Sequence, residues 1–382
     1  MKRTAFIFGR TPQLSFLELQ SFYPKATSPT EGVGMVESAV DADAVVHMLG
    51  GTVKIVDVQS EAAELSTELF FSALLPYAKS GHITFGISAY GRAHVSNTQL
   101  AVLKKEFTQR GVSARYIETK RHEALSSVVI AKQEVVELVV IGLPGTNLIG
   151  VTLVVQDFED WNKRDFGRPA PDAKAGMLPP KVARMIVNIA LPHGVPDHHP
   201  MVLDPFCGVG TVLGEALLRG ANVTGSDLSE AAVANSKKNL EWLRREYPVV
   251  APLYMSVMVA DATHVSEFLT PQSVDAIVTE PYMGETVEAK DIAKLTPERV
   301  KNILKGLEKL YIGALKEWAN ILKPQARIVM AMPAYDTGRG VLRVKKVVDR
   351  CESLGYTLLT EPIEYGRPKA IVRREFYIFQ KG

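Results

Sequence analysis

One segment, VLDPFCGVGTVLGEA at residues 202–216, limits the fold more than any other: an apolar run ends on Asp204 and passes through two glycines into a helical pattern. A strand that turns this tightly into a helix is a βα unit of a parallel layer, because Gly208 and Gly210 give the backbone conformations closed to other residues. The helix that follows points unpaired N–H groups at whatever the turn encloses. A glycine turn alone serves any dinucleotide or nucleoside ligand, so its surroundings have to decide.

From Pro179 onward, continuous apolar runs alternate with helical patterns, the mark of a parallel sheet covered on both faces. Pro179-Pro180 opens a helix through about Leu191. Met201–Leu203, Asn222–Gly225, Ser273–Thr279 and Arg327–Met332 read as strands. Thr211–Arg219 reads as a helix, Ser229 caps another running to about Glu246, and Thr296–Leu322 is a long one with Pro297-Glu298 in its first turn. Tyr356–Glu361 and Val372–Gln380 read as a closing antiparallel pair.

Residues 1–160 differ. Short β-type runs at Thr4–Phe8, Val53–Val58, Ile83–Ala89, Val128–Ile130 and Val135–Ile141 are interspersed with helical stretches at Ser15–Ser21, Ala62–Leu75 and Gln99–Gln109, giving a small α+β region. The polar, proline-rich WNKRDFGRPAPDAKAGMLPP, residues 161–180, reads as an ordered linker. The fold class is therefore α/β: a doubly wound C-terminal domain preceded by α+β structure.

With 382 residues, 46% hydrophobic and 23% charged, the chain has the length for two or three domains and the composition of a globular protein, which excludes disordered, collagenous and coiled-coil readings. No stretch approaches the ~20 apolar residues of a membrane span, and the run before Gly9-Arg10 is too short for a secretory leader. Cys207 and Cys351 are too few for a disulfide framework or a cysteine-rich metal site. A cytoplasmic location without membrane contact is expected. Net charge is +2, but cations cluster: Lys104, Lys105, Arg110, Arg115, Lys120 and Arg121 against Glu106 and Glu118, and ten Lys/Arg against five acids over residues 339–382. Such clusters fit solvated faces or a nucleic-acid partner equally well.

Acids at successive strand tips narrow the ligand. Asp227 follows Asp204 by 23 residues, where a carboxylate can accept both hydroxyls of a ribose. Asp261, in VADAT, stands where a third strand should end, near an adenine. Carboxylates in three such places would repel a polyphosphate, so S-adenosylmethionine fits better than NAD or ATP.

The fourth strand ends in DAIVTEPYMGE, residues 275–285. Glu280 offers an acceptor for an exocyclic N–H, Pro281 stiffens the loop, and Tyr282 can stack on a base. Together they suit methyl transfer to a planar amine, whose lone pair is delocalised into its ring until an acceptor aligns the N–H groups.

These residues resemble class I S-adenosylmethionine-dependent amino-methyltransferases, which carry an acid or amide followed by Pro-Pro and an aromatic at this tip. The similarity extends to the THUMP-containing tRNA guanine-N2 methyltransferases that modify guanosine 10, over FIFGRTPQLSFLELQSF (6–22), FGISAYG (85–91), RDFGRPAPDAKAGMLPPKVA (164–183), the glycine turn and REFYIF (374–379). RDFGRP with GMLPPK is the most specific part. The resemblance implies a ferredoxin-like region over 1–50, a THUMP RNA-binding domain over 51–158, a linker over 159–180 and a Rossmann-like class I methyltransferase domain over 181–382. It implies that Gly176, Met177, Leu178 and Pro179 hold the methionine moiety of the cofactor. Asp204, Pro205, Phe206, Gly208, Gly210 and Thr211 would line its turn, Asp227 and Leu228 its ribose, and Asp261-Ala262 its adenine. Glu280, Pro281 and Tyr282 would serve the target base, and Lys104, Lys105, Arg110 and Arg115 the tRNA phosphates. A monomer is expected, although some relatives use a small zinc-binding activator subunit.

The chain departs from that family at the tip. Where the family has Asp-Pro-Pro-Tyr, this sequence has Glu280-Pro281-Tyr282-Met283, so the acid is one methylene longer and the ring sits one position earlier. Methylation of another RNA site or base, namely another tRNA guanine, ribosomal RNA or adenine-N6, and a non-catalytic RNA-binding role therefore stand as rival readings. His193, Asp197, His198 and His199 lie in a proline-broken loop with no regular element to set a coordination geometry, and no metal is expected. Cys207 reads as a small buried thiol rather than a nucleophile. Tyr335 and Asp336 are placed by topology at the border of the base pocket.

Overall fold

The computed structural model describes residues 2–118, 124–171, 177–192, 199–284, 296–338, 340–366 and 370–382. It divides into two compact units, Met1–Trp161 and Asn162–Gly382.

The first unit is built on β1 (Arg3–Phe8), α1 (Pro12–Phe22), β2 (Thr27–Thr30), β3 (Val33–Val36), α2 (Ala42–Met48), β4 (Thr52–Ala62), α3 (Thr67–Leu74), β5 (His82–Gly91), α4 (Asn97–Gln109), β6 (Ser113–Tyr116), α5 (Ser127–Lys132), β7 (Val136–Leu143) and β8 (Thr146–Val155). Its eight strands form one sheet in the order β2-β3-β1-β4-β8-β7-β5-β6. The segments 1–50 and 51–158, read apart in the sequence, share this sheet, because β1 pairs with β4 from Arg3↔Val58 to Phe8↔Thr52. Phe6, Phe8, Leu19, Val45 and Ile55 form one cluster, and Phe70, Phe85, Phe107, Leu138 and Val140 form another. Lys54 and Glu137 form an ion pair with both side chains almost fully buried.

One expectation needs correction here, and two elements lie where none was expected. Val128–Ile130 is not a strand: Ser126 accepts the N–H of Val129 and caps α5, a single turn that buries Ile130. A side-chain cap plus one buried contact outweighs the β preference of the valines. β8 was not read from the sequence, although Pro144-Gly145, with Gly145 at φ +78°, closes a two-residue hairpin from β7. The start of the supposed linker is helical, α6 (Phe158–Phe166), with Asp157 accepting the N–H groups of Glu159 and Asp160.

The second unit continues with α7 (Pro180–Ala190), β9 (Met201–Asp204), α8 (Thr211–Leu218), β10 (Asn222–Asp227), α9 (Glu230–Glu246), β11 (Met255–Val259), β12 (Val274–Thr279), α10 (Pro297–Ile321), β13 (Leu322–Asp336), β14 (Val341–Arg343), α11 (Lys345–Arg350), β15 (Tyr356–Leu358), β16 (Ile363–Tyr365) and β17 (Val372–Lys381). The sheet runs β11-β10-β9-β12-β13-β17-β15. The first five strands are parallel, and β17 enters antiparallel between β13 and β15. Strand order reverses at β9 and β12, and ligands of open α/β sheets bind beyond the C-terminal ends of the strands at such a point. α10 starts at the Thr296 cap with Pro297 in its first turn and buries Val300, Leu304, Leu307, Tyr311, Leu315 and Trp318, a three-to-four spacing that keeps one stripe on the sheet. Among the described residues no helix is long and apolar enough to cross a membrane.

Candidate active site

β9 delivers Asp204 to the switch point, where the side chain is buried. Its Oδ1 accepts the Thr279 hydroxyl at 2.7 Å and the Phe206 N–H at 3.2 Å. Burial pushes this carboxyl up to about 7, against those two hydrogen bonds and with help from the nearby charges of Asp227 and Glu280. The glycine turn then follows. Gly210 caps α8 at φ +83°, and a Cβ there would stand 2.5 Å from Ser236 Oγ. Gly208, at φ +52°, faces open space with nothing within 4 Å of a Cβ. Gly210 is therefore demanded by packing, and Gly208 leaves room for a ligand against the backbone.

Asp227 ends β10 and ties two turns together: Oδ2 accepts the Gly208 N–H at 3.0 Å and Oδ1 the Ser229 N–H at 2.9 Å. At the next tip Asp261 Oδ1 accepts the N–H and hydroxyl of Thr263, both at 2.8 Å, and the Thr263 N–H bond holds its carboxyl below the usual range. Ala262 is buried, and its carbonyl accepts Trp318 Nε1 at 2.9 Å. Leu228 beside Asp227, 69% exposed, and Val259 at the end of β11, 51% exposed, are apolar groups left uncovered around these acids.

Behind the turn lies an arrangement that the sequence did not reveal. Arg164 Nη1 donates to both oxygens of Glu215 at 2.7 and 2.6 Å, and Arg184 Nε donates to Glu215 Oε2 at 2.9 Å. All three are buried. Arg168 Nη1 donates to Thr211 Oγ1 at 2.6 Å, and Asn239 bridges Ala170 to the Val209 carbonyl. The RDFGRP segment thus fastens itself to the first turn of α8, which accounts for arginines at both of its ends.

At the tip of β12, Glu280 is mostly buried and accepts Arg374 Nε on Oε1 at 2.6 Å. Burial raises its carboxyl, while the Arg374 guanidinium pulls the other way. Pro281 is buried and Tyr282 is 57% exposed. Two buried tyrosines hold the loop from behind: Tyr311 donates to the Tyr282 carbonyl at 2.6 Å and Tyr335 to the Met283 carbonyl at 2.7 Å. Gly284 sits at φ +97° against Tyr335, whose hydroxyl would be 2.4 Å from a Cβ there.

The sites read from the sequence fall into three groups. Asp204, Pro205, Phe206, Gly208, Gly210, Thr211, Asp227, Leu228, Asp261, Ala262, Glu280, Pro281 and Tyr282 all lie at the C-terminal edge of the β11-β10-β9-β12 strands or in the turns leaving it. Met177, Leu178 and Pro179 precede α7, with Leu178 buried, while Gly176 lies outside the described residues. Lys104, Lys105, Arg110 and Arg115 are exposed in the first unit; Arg110 pairs with Glu68 and Glu106 and covers the Phe71 ring, and Lys120 and Arg121 lie outside the described residues.

Of the other candidates, Cys207 is buried, and burial with the charges of Asp204 and Asp227 pushes its thiol up, away from thiolate chemistry. His193, Asp197 and His198 lie outside the described residues; His199 Nδ1 lies 2.8 Å from the Gly220 carbonyl, and no three His, Cys, Asp or Glu side chains converge among the described residues. Tyr335 reaches the loop through its hydroxyl, whereas Asp336 pairs with Arg373.

Known proteins resemble this chain in sequence and in fold. Residues 168–353 match the UPF0020 family, described as an RMKL-like methyltransferase domain. A tRNA (guanine(10)-N2)-dimethyltransferase of Pyrococcus abyssi is 29% identical over 220 residues, 57% of this chain and 53% of that protein. The protein of the same name from Methanocaldococcus jannaschii is 32% identical over 220 residues, 53% of this chain and 58% of its own length. The chain thus spans about half the length of the curated relatives it matches. In fold, the crystal structure of TrmN from Thermus thermophilus superposes with a TM-score of 0.54 at 18% identity, covering 100% of both chains. Sequence and architecture agree on a Rossmann-like methyltransferase fold for this region, which is similar to the UPF0020 family over residues 168–353.

Proposed function

We propose that this chain methylates the exocyclic N2 amine of guanosine in tRNA, with guanosine 10 the first target to test and S-adenosylmethionine the donor. The observation that carries the reading is the Glu280 side chain two residues before the exposed Tyr282 at the switch-point edge, on the same rim as Asp227 and Asp261. The name shared by the Pyrococcus and Methanocaldococcus relatives supports the substrate.

The turn fits the cofactor on its own geometry, since Gly208 leaves the space that a Cβ would fill. Asp227 with Leu228 would take the ribose, Asp261-Ala262 the adenine, and Met177–Pro179 the methionine end. When bound, the cofactor supplies an electrophilic methyl group on a sulfonium. The protein's own residues do the rest. Lys104, Lys105, Arg110 and Arg115 hold phosphates with little sequence readout. The target base leaves its stack, the Tyr282 ring covers one face, and Glu280 accepts from the amine and orients its lone pair. The amine loses its proton after transfer, so no strong general base is required. In this reading residues 1–158 act as the RNA-gripping region, and the chain works as a monomer in the cytoplasm.

The test is transfer of labelled methyl from S-adenosylmethionine to unmodified tRNA transcripts by the purified chain alone, with guanosine 10 intact or substituted. The expected product is N2-methylated guanosine that disappears with the substitution. Label that survives the substitution moves the target, and no label from the chain with measured cofactor binding overturns the reading.

A further inference from the structure

Glu280 has one more methylene than an aspartate, and therefore one more torsion to fix before its carboxylate can meet a substrate N–H. An untethered glutamate at this tip would sample several rotamers, and ordering it costs conformational entropy. The fold supplies the tether from two strands away. β12 pairs with β13 and β13 with β17, where Pro333 faces Arg374, so the arginine side chain stands over the C-terminal edge of β12. Its Nε meets Glu280 Oε1 at 2.6 Å, with the two side chains 23% and 19% exposed. In this partly buried setting the charge-assisted bond is short and directional. Among the described residues it is the hydrogen bond Glu280 accepts, and Oε2 is left for another donor.

We propose that Arg374 is the positioning residue of the reaction: it clamps Oε1 of Glu280 so that Oε2 presents to the target amine. This rests on the reading of Glu280 as the amine acceptor. The clamp replaces the stiffness that a shorter acid would have by itself, so the longer acid and the arginine work as a pair. Among the described residues, the charged and titratable groups facing Glu280 are Arg374 from β17, Asp204 from β9 and Tyr311 from α10. Of these, Arg374 favours the ionised carboxylate and Asp204 opposes it. Without the guanidinium, burial would hold Glu280 protonated to higher pH, and a protonated carboxyl donates where it should accept.

The experiment measures kcat for tRNA methylation from about pH 5 to 9 in wild type, Arg374→Gln, Arg374→Lys, Glu280→Gln and the double variant, with folding checked by thermal melting. Arg374→Gln is expected to lower kcat at neutral pH by about tenfold and move the acidic limb up by about one pH unit or more, with KM for S-adenosylmethionine unchanged. Arg374→Lys, which keeps the charge without the planar fork, should return the limb but only part of kcat. In the Glu280→Gln background the second substitution should change nothing further. Asp204 also titrates in this range and feels the Glu280 charge, so the diagnostic movement is the one that Arg374→Gln makes with Glu280 present and does not make in the Glu280→Gln background.

Loss of kcat equal at all pH values, or none, with Glu280→Gln still inactive, overturns the positioning role and leaves Glu280 as the acceptor. If Glu280→Gln is itself fully active, the acceptor reading fails, and the clamp with it.

Discussion

The hydroxyl of Thr279 donates to Asp204 across 2.7 Å, joining the last residue of β12 to the last residue of β9. These two strands flank the point at which sheet order reverses, so one buried hydrogen bond couples the cofactor turn to the loop that carries Glu280. Replacing Thr279 by valine keeps the shape and removes the donor. The expected result is a loss of about 1–3 kcal/mol of stability and weaker cofactor binding, read by denaturant unfolding and titration calorimetry.

Asp204 should leave a pH signature on stability. Its folded value of about 7 lies above the ordinary 3.8, so between those values the folded state binds the extra proton. Stability therefore falls as pH rises through that window, and the loss, up to about 4 kcal/mol, is complete above about pH 7. Asp204→Asn removes the penalty. Its melting temperature should exceed that of wild type at alkaline pH and approach it under acid, and a pH-independent difference would count against the burial argument.

The two turn glycines should fail differently. Gly210→Ala drives a Cβ to within 2.5 Å of Ser236 Oγ at φ +83°, and is expected to cost about 2 kcal/mol or more of stability. Gly208→Ala meets no atom within 4 Å, so about 1 kcal/mol is expected from its φ of +52° alone. Cofactor affinity should nevertheless drop at least about tenfold in Gly208→Ala, because the methyl takes the ligand's place. Thermal melts with and without cofactor separate the two effects.

Glu215 holds Arg164 and Arg184 together in a buried cluster. Glu215→Gln removes the buried carboxylate charge that both guanidinium groups share, and a loss of about 3–5 kcal/mol is expected. A midpoint shift in urea with an unchanged slope is the corresponding measurement.

Tyr311→Phe and Tyr335→Phe each release one carbonyl of the Tyr282-Met283 loop while keeping the ring. Each is expected to reduce kcat about threefold to tenfold with KM for the cofactor unaffected, since the hydroxyl that is lost holds the Tyr282-Met283 loop. An effect on cofactor KM with normal kcat would mean that the tyrosines serve the other side of the site.

What could be read in the residues was whatever local chemistry repeats along the chain. The βα units of the second half, the caps at Ser229 and Thr296, the glycine turn and the acids at the strand tips are each specified within a few neighbours, because propensity, periodicity and turn conformation act over that range. Where one capping hydroxyl competes with β-branched side chains, as at Ser126–Ile130, the period is too short to decide, and the reading went to a strand that is in fact a helix. The joining of residues 1–50 and 51–158 in one sheet was invisible for a different reason, since pairing such as Arg3↔Val58 is made between distant residues. The same holds for the site. That Glu280 and Tyr282 stand at a ligand-facing tip followed from the strand that carries them. That Arg374 reaches Glu280, 94 positions away, and that Arg164, Arg184 and Glu215 share one buried cluster, depended on strand order and helix packing alone. Burial then set the charge states, because desolvation depends on the whole surrounding fold and on no single neighbour.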